Sequence, residues 1–234
     1  MSSPAYKLTL LLKAREGLDP DVFADRWLKL EAADPLTAPG LVGHVFNRPL
    51  LGVAPIVNAS SGVYDAAQET WWERKNDAAD WFVSRAFPAW LALRTPLLAA
   101  RPDAVGGQPN VIWEQAEEEP GETVKVITVP VARRSLTVGE FSEYWTGTHA
   151  ELALQGPGTK ERLVRLEDTP AQPTPSPFTK NRYDGVGAIT FSSEAALAAE
   201  FDSDYYRNTL APDESRFSDP VFSTVLVTRP VALL

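Results

Sequence analysis

Thr137-Val-Gly-Glu-Phe141-Ser-Glu-Tyr-Trp145-Thr-Gly-Thr-His149 decides the fold, because the chain carries a version of it twice. Thr137 and Glu140 have the spacing of a capping box, which satisfies free backbone donors at a helix start. Phe141, Trp145 and His149 then recur at four-residue intervals along one helical face. The earlier copy opens with Asp19 as N-cap and Pro20 at the first helical position, followed by Phe23, Trp27, Leu30 and Glu31. Phe23 falls on Phe141 (141 − 23 = 118), Trp27 on Trp145, Leu36 on Leu154, Pro39 on Pro157 and Gly40 on Gly158. Further along the offset becomes 119 (201 − 82), which sets Phe82 on Phe201 and Tyr64-Asp65 on Tyr183-Asp184. A nearly fixed offset over this much of the chain implies an internal duplication, with the period of a small domain rather than of a solenoid.

Each helix is preceded by a strand signal. Tyr6–Lys13 alternates Tyr6, Leu8, Leu10 and Leu12 with Lys7, Thr9 and Lys13, and Val124–Val131 repeats the pattern with Lys125 opposite Lys7. Between the halves lies Glu117-Glu-Glu-Pro-Gly-Glu122, an acidic segment that cannot bury itself. The chain therefore divides into a first repeat, 1–116, an acidic linker, 117–122, and a second repeat, 123–234. In the first, the order is a strand at Tyr6–Lys13, a helix at Pro20–Glu31, strands at Val42–Phe46 and Asp65–Trp72, a helix at Asp77–Phe87 and a strand at Val111–Glu114. In the second, it is Val124–Val131, Thr137–Leu154, Leu163–Leu166, Gly185–Phe191, Glu194–Leu210 and Val221–Val227. This βαββαβ order is the ferredoxin-like unit, whose antiparallel sheet has helices on one face and needs a partner for the other. The second copy supplies that partner, so an α+β fold is expected, with two tandem ferredoxin-like repeats closing one barrel. The proline-rich stretch Thr169–Pro177 reads as a stiff extended loop, of the length seen in lids and dimer arms.

Composition narrows the function. The 234 residues carry 22 Lys and Arg against 31 Asp and Glu, a net charge of −9, which disfavours nucleic-acid and anionic-membrane partners. The absence of cysteine excludes disulfides, thiolate metal sites and a cysteine nucleophile, and two histidines cannot make a three-histidine metal site. Dinucleotide, Walker and nucleophile-elbow motifs are absent as well. Neither a membrane-spanning run nor a signal peptide is visible, so the cytoplasm is the expected compartment.

The second half resembles the EthD family of the dimeric α+β barrel superfamily. The resemblance rests on Phe141-Ser-Glu-Tyr-Trp145-Thr-Gly-Thr-His149, on Arg182-Tyr-Asp-Gly-Val186-Gly-Ala-Ile-Thr-Phe191, and on Leu210-Ala-Pro-Asp-Glu-Ser-Arg-Phe217-Ser-Asp219-Pro. The first half resembles the family less closely. It has Glu31 where the motif has histidine and Arg94-Thr-Pro-Leu97 where the Asp-Glu-x-x-Phe-x-Asp element belongs. The resemblance implies a duplicated, fused dimeric α+β barrel with a cofactor-light pocket between sheet and helices. Relatives in the superfamily include polyketide cyclases, lactone isomerases, quinone-forming monooxygenases and haem-binding peroxidases.

His149 is the leading catalytic candidate, since an imidazole facing an internal pocket can exchange protons near neutral pH. The competing reading is a helix-end histidine serving structure. Glu31, its counterpart by offset, is a second acid/base candidate if burial raises its pKa, or an exposed residue if the helix ends at Leu30. His44 on the second strand and Tyr183 are candidate substrate contacts, with Trp27 and Trp145 on the duplicated helices. Trp71 and Trp72 belong to an aromatic cluster with Trp81, Phe82, Phe87 and Trp90 that suits an apolar wall for an aromatic ligand, a larger core or an oligomer interface. The function expected is a cofactor-independent lyase or isomerase step, by general acid/base chemistry, on a small aromatic or polyketide-like carbonyl or phenol. The alternatives are a haem-binding or oxygen-using barrel and a non-catalytic small-molecule-binding barrel. No metal or cofactor is called for, and a homodimer of the fused barrel is compatible with the reading.

Overall fold

The computed structural model describes residues 4–53, 58–116, 122–178 and 182–234. The expected acidic linker lies outside the described residues except for Glu122. Within the first half, strands β1 (Tyr6–Leu12), β2 (Leu41–Pro49), β4 (Ala66–Trp72) and β5 (Asp103–Gly107) pair in the order β5-β1-β4-β2. Within the second, β7 (Val124–Val129), β8 (Leu163–Pro170), β9 (Gly185–Phe191) and β10 (Thr224–Ala232) pair in the order β10-β7-β9-β8. Both are the same arrangement, fourth-first-third-second. A two-residue strand, β3 (Ser60–Ser61), runs parallel to β10.

Two last strands join the halves. The first part of β10 pairs with β7 of its own half, and from Thr228 onward it pairs antiparallel with β2 of the other. The first half does the same with a broken strand. There β5 pairs with β1, and after Gln108-Pro109 the chain resumes as β6 (Asn110–Glu114), which pairs with β8. Since β5 and β6 stand at opposite ends of the strand order yet are consecutive in the chain, the sheet curls back on itself. The bridge between Gly106 and Gln172 reinforces that closure. Sequence patterning finds β6 but misses β5, whose Gly106-Gly107 ending carries no strand signal. Those glycines are needed because a Cβ on Gly107 would lie 2.0 Å from the Pro170 carbonyl oxygen.

Strand alternation sorts side chains into two compartments. Lys7, Glu69, Lys125 and Glu167 point into the barrel, where Lys7 pairs with Glu69 and Glu167 at 2.6 Å each and Lys125 with Glu69 at 2.7 Å. The polar face read in β1 is therefore as buried as its leucine face. The outward face of each half is covered by helices. In the first half these are α1 (Pro20–Ala33), α2 (Lys75–Val83) and α3 (Ala86–Arg94). Asp19 caps α1 as expected, accepting from the amides of Asp21 and Val22. The single helix expected at Asp77–Phe87 is two, because Ser84 Oγ donates to Trp81 O and accepts from Ala86 N, breaking the run.

In the second half the covering run is continuous from Val138 to Ala153. It comprises α4 (Val138–Glu143), a π-helical segment Tyr144–His149, and α5 (Ala150–Ala153). After α6 (Thr159–Arg162) and α7 (Glu194–Phe201), a second π-helical segment, Tyr206–Leu210, leads into α8 (Ala211–Phe217). The helix expected at Glu194–Leu210 thus ends early and restarts. The expected proline-rich loop begins later than Thr169, because β8 pairs with β9 as far as Pro170. At its far end Phe178 inserts between Phe82 and Phe87, with ring centroids 5.3 Å and 5.7 Å away, so the loop fastens the second half onto the first. Among the described residues no helix is long and apolar enough to cross a membrane.

Candidate active site

The two halves cover their sheets differently. In the first, the space between helices and sheet is filled by aromatic rings. Trp27 stacks on Phe46 at 5.9 Å, and Trp81 lies within 6.0 Å of Trp72 and 5.6 Å of Trp90. In the second, the corresponding space is a cavity of about 120 Å³. Its walls are the outward faces of β7, β8 and β9, the helix carrying Trp145 and His149, and the second π-helical segment with α8. Both π-helical segments flank it, a feature frequent at functional sites because the extra residue per turn re-aims side chains.

His149 lines this cavity. Its Nδ1 lies 2.9 Å from Asp213 Oδ2 on α8. A carboxylate there accepts from Nδ1–H and leaves Nε2 as the basic nitrogen. Tyr144 donates to the other oxygen of Asp213 at 2.6 Å, and the Phe217 ring sits 4.7 Å from the imidazole. Burial lowers the His149 pKa below the usual histidine range, and the contact with Asp213 opposes this. The imidazole is therefore neutral and able to accept a proton at physiological pH. The helix continues past His149 to Ala153, so the residue occupies mid-helix and holds a carboxylate, rather than a terminal carbonyl.

Two further carboxyl groups face the cavity. Glu214 accepts from the Asn58 backbone and side chain at 3.4 Å and 3.1 Å, so the first half contributes to this wall. Its pKa is pushed up to about 7 by burial. Asp168 on β8 is pushed up to about 8, chiefly by burial and also by the neighbouring Glu167 charge. Glu200 completes the acidic lining, and no lysine or arginine lines the cavity among the described residues.

The other sequence candidates lie elsewhere. Glu31 is buried within α1 rather than exposed past its end, and Arg94 holds it at 3.1 Å. His44 is buried in the first-half core, with its pKa lowered to about 4 by burial and by the Arg94 charge. Trp27 donates Nε1–H to Gln68 at 2.9 Å, and Trp72 donates to Thr70 at 3.0 Å, both inside that core. Trp71 faces the barrel interior, with the Lys7 ammonium 4.9 Å from its ring. Tyr183 meets Tyr64 hydroxyl to hydroxyl at 2.9 Å, where the halves join. Only His149 and Trp145 of the candidates share the cavity. Sequence reasoning missed Asp168, Asp213 and Glu214 as site residues, although the last two stand in the quoted Asp-Glu-x-x-Phe-x-Asp element.

Residues 133–221 match the EthD domain family, a span that includes His149, Asp168, Asp213 and Glu214. Comparison with curated proteins gives no match. Among solved structures, an anthrone oxidase-like protein superposes with a TM-score of 0.68 at 10% identity, covering 99% of this chain and 94% of its own. A provisionally assigned monooxygenase from Fusobacterium nucleatum gives 0.58 at 7% identity, over 100% of this chain and 94% of its own. A chlorite dismutase variant from Candidatus Nitrospira defluvii gives 0.51 at 10% identity, over 100% and 93%. At such identities the likeness is one of fold: the chain has the dimeric α+β barrel architecture.

Proposed function

We propose that the chain is an enzyme whose His149–Asp213 pair moves a proton on a small, uncharged carbonyl or phenol compound held in the second-half cavity. The observation that carries this reading is the Nδ1 contact of His149 with Asp213 at 2.9 Å beside a mostly apolar cavity. Asp213 positions the ring and stabilises the imidazolium that forms, while Nε2 takes the proton. Enolisation, dehydration, decarboxylation, cyclisation and double-bond shift all begin with or include such a transfer, which supports a lyase or isomerase. The volume of about 120 Å³ compares with a cavity of ~150 Å³ that accepts benzene, so a single ring is the expected size. In this reading the chain is a fused pair of repeats, 1–116 and 123–234, of which the second is the working copy.

Haem, the cofactor of the alternative reading, does not fit this cavity. Its propionates would need cations, whereas the described lining offers Asp168, Glu200 and Glu214. The test is proton exchange in deuterated buffer across a panel of single-ring methyl ketones and phenols, followed by NMR. Exchange that the protein accelerates, and that His149→Ala abolishes at unchanged melting temperature, supports the reading. No acceleration over buffer across the panel would remove it.

A further inference from the structure

Three residues stand in one row across the sheet floor of the cavity: Thr128 on β7, Gly187 on β9 and Asp168 on β8. Gly187 is in register with both neighbours. Strand alternation sends Glu167 into the barrel, where it meets Lys7, and Asp168 to the opposite face. The central residue has no side chain, so the outer two converge over it. A Cβ built on Gly187 would lie 2.4 Å from Thr128 Oγ1, 3.2 Å from Asp168 Oδ1 and 3.4 Å from the Trp145 ring. Asp168 is 3% exposed, and its carboxyl has no hydrogen-bond partner among the described residues. A buried polar group of this kind is costly unless water or a ligand in the cavity it faces satisfies it.

From this row we infer that Asp168 and Thr128 form an oxygen-binding seat over Gly187, which takes the carbonyl oxygen of the substrate and makes Asp168 a second catalytic residue. The inference rests on the proton-transfer reading above and names the substrate class as a ketone or enolisable carbonyl on a single ring. His149 Nε2 removes a proton from the carbon next to the carbonyl. The C–H electron pair becomes the enolate double bond, and the carbonyl π pair moves onto oxygen. Asp168 keeps its own proton and donates it as a hydrogen bond to that oxygen, with Thr128 Oγ–H as the second donor. A carboxylic acid kept neutral by an apolar site is a known means of stabilising such an oxyanion. Burial raises the Asp168 pKa to about 8, which keeps its proton in place at neutral pH.

The experiment compares acetophenone, which only accepts hydrogen bonds, with ethylbenzene, which has the same ring and no oxygen. Equilibrium binding is measured together with the infrared carbonyl stretch of bound, isotopically labelled acetophenone. Acetophenone should bind roughly tenfold tighter, the worth of about one net hydrogen bond, with its stretch shifted to lower frequency. Asp168→Ala and Gly187→Ala should each remove the preference and the shift, whereas His149→Ala retains both. Gly187→Ala changes neither polar group but fills the seat, so it tests the location if Asp168→Ala alters folding. Equal affinity for the two probes, or a preference and shift that survive both variants, overturns the inference. Failure of the proton-transfer reading looks different: acetophenone is held with a shifted carbonyl, yet its methyl hydrogens do not exchange.

Discussion

Arg94 stands 119 residues before Asp213 (213 − 94), and each clamps the side chain that the leading helix of its own half presents. Arg94 holds Glu31 at 3.1 Å, and Asp213 holds His149 at 2.9 Å. The polarity of the pair is reversed between the halves. The surroundings diverge with it, from stacked tryptophans around Glu31 to a cavity beside His149. The Arg94 guanidinium lies 4.1 Å from the Trp90 ring and also donates to the Trp90 and Asp34 carbonyls. The first-half pair is therefore a structural lock. Glu31→Gln leaves the buried Arg94 with only the half-exposed Asp34 carboxylate, 3.7 Å away, as counter-charge, so it should cost up to ~3–5 kcal/mol in urea unfolding. Glu31→Leu with Arg94→Met should recover most of that loss, because an apolar pair needs no compensation. Neither change should alter proton exchange in the second-half cavity per folded molecule.

The second-half pair should behave in the opposite way. His149→Ala is expected to slow exchange by ~10²–10⁴, the usual contribution of a general base, with little change in melting temperature. Asp213→Asn keeps the shape but no longer favours Nδ1–H, so kcat should fall while KM for the ketone holds. It should also move the acidic limb of the pH–rate profile, a readout that loss of packing alone would leave in place. Tyr144→Phe removes one donor to Asp213 and should have a smaller effect in the same direction. Full exchange activity in His149→Ala, with an unchanged melt, would show that the imidazole only supports structure.

How much of this could be read beforehand depends on local periodicity. The α+β element order and the Phe23–Trp27 and Phe141–Trp145 pairs follow from alternation, caps and a constant offset, whereas the fourth strand of the first half does not, because β5 ends in glycines and carries no alternation. The aspartates that the offset aligns make one contact in both halves: Asp65 accepts from Ala14 N at 2.8 Å and Asp184 from Ala132 N at 2.7 Å. The site was half legible. His149 announces itself by residue type, but its partner lies 64 residues later and only the folded chain joins them. Asp168 is hidden because the apolar pattern of β8 ends at Leu166, which leaves no face to assign it to, whereas pairing with β9 continues to Pro170. The tryptophan cluster was ambiguous because composition cannot say whether rings line a space or fill it; the structure shows that they fill it.

That filling gives a third prediction. Trp81 lies 119 residues before Glu200 (200 − 81), which lines the cavity of the second half. Its ring meets Phe87 at 5.1 Å and Trp90 at 5.6 Å, so it occupies the space that stays open in the other half. Trp81→Ala should cost ~3–5 kcal/mol in denaturant unfolding and open a void. Benzene added to this variant should raise its melting temperature, while the parent chain gains less at the same concentration. An equal benzene effect in both proteins would mean that the first half collapses rather than opens.

The effect of a His44 substitution on the pH dependence of stability should report on the buried imidazole of the first half. His44 is buried, its Nε2 has no hydrogen-bond partner among the described residues, and its pKa falls to about 4. The groups that face it are Gln68 on β4, which favours the charged ring, and Arg94 on α3, which opposes it and is itself paired with Glu31. In the unfolded chain the ring titrates near 6.5. Above that value both states are neutral and the histidine contribution is fully present. Below it the unfolded chain gains a proton that the folded chain refuses, so stability falls as pH drops from about 6.5 toward about 4. The full span corresponds to ~3 kcal/mol at most. Asp168 and Glu214, both raised by burial, act in the opposite direction over the same range, so the test is the difference between two chains: the urea midpoint of the parent should fall relative to that of His44→Gln as pH drops from 7 to 4.5. His149, also lowered by burial, contributes in the same direction, so the comparison is made in a His149→Gln background where His44 is the one histidine left and Asp168 and Glu214 act equally in both chains. Identical slopes with and without His44 in that background would place its imidazole in contact with water and contradict the buried, neutral ring.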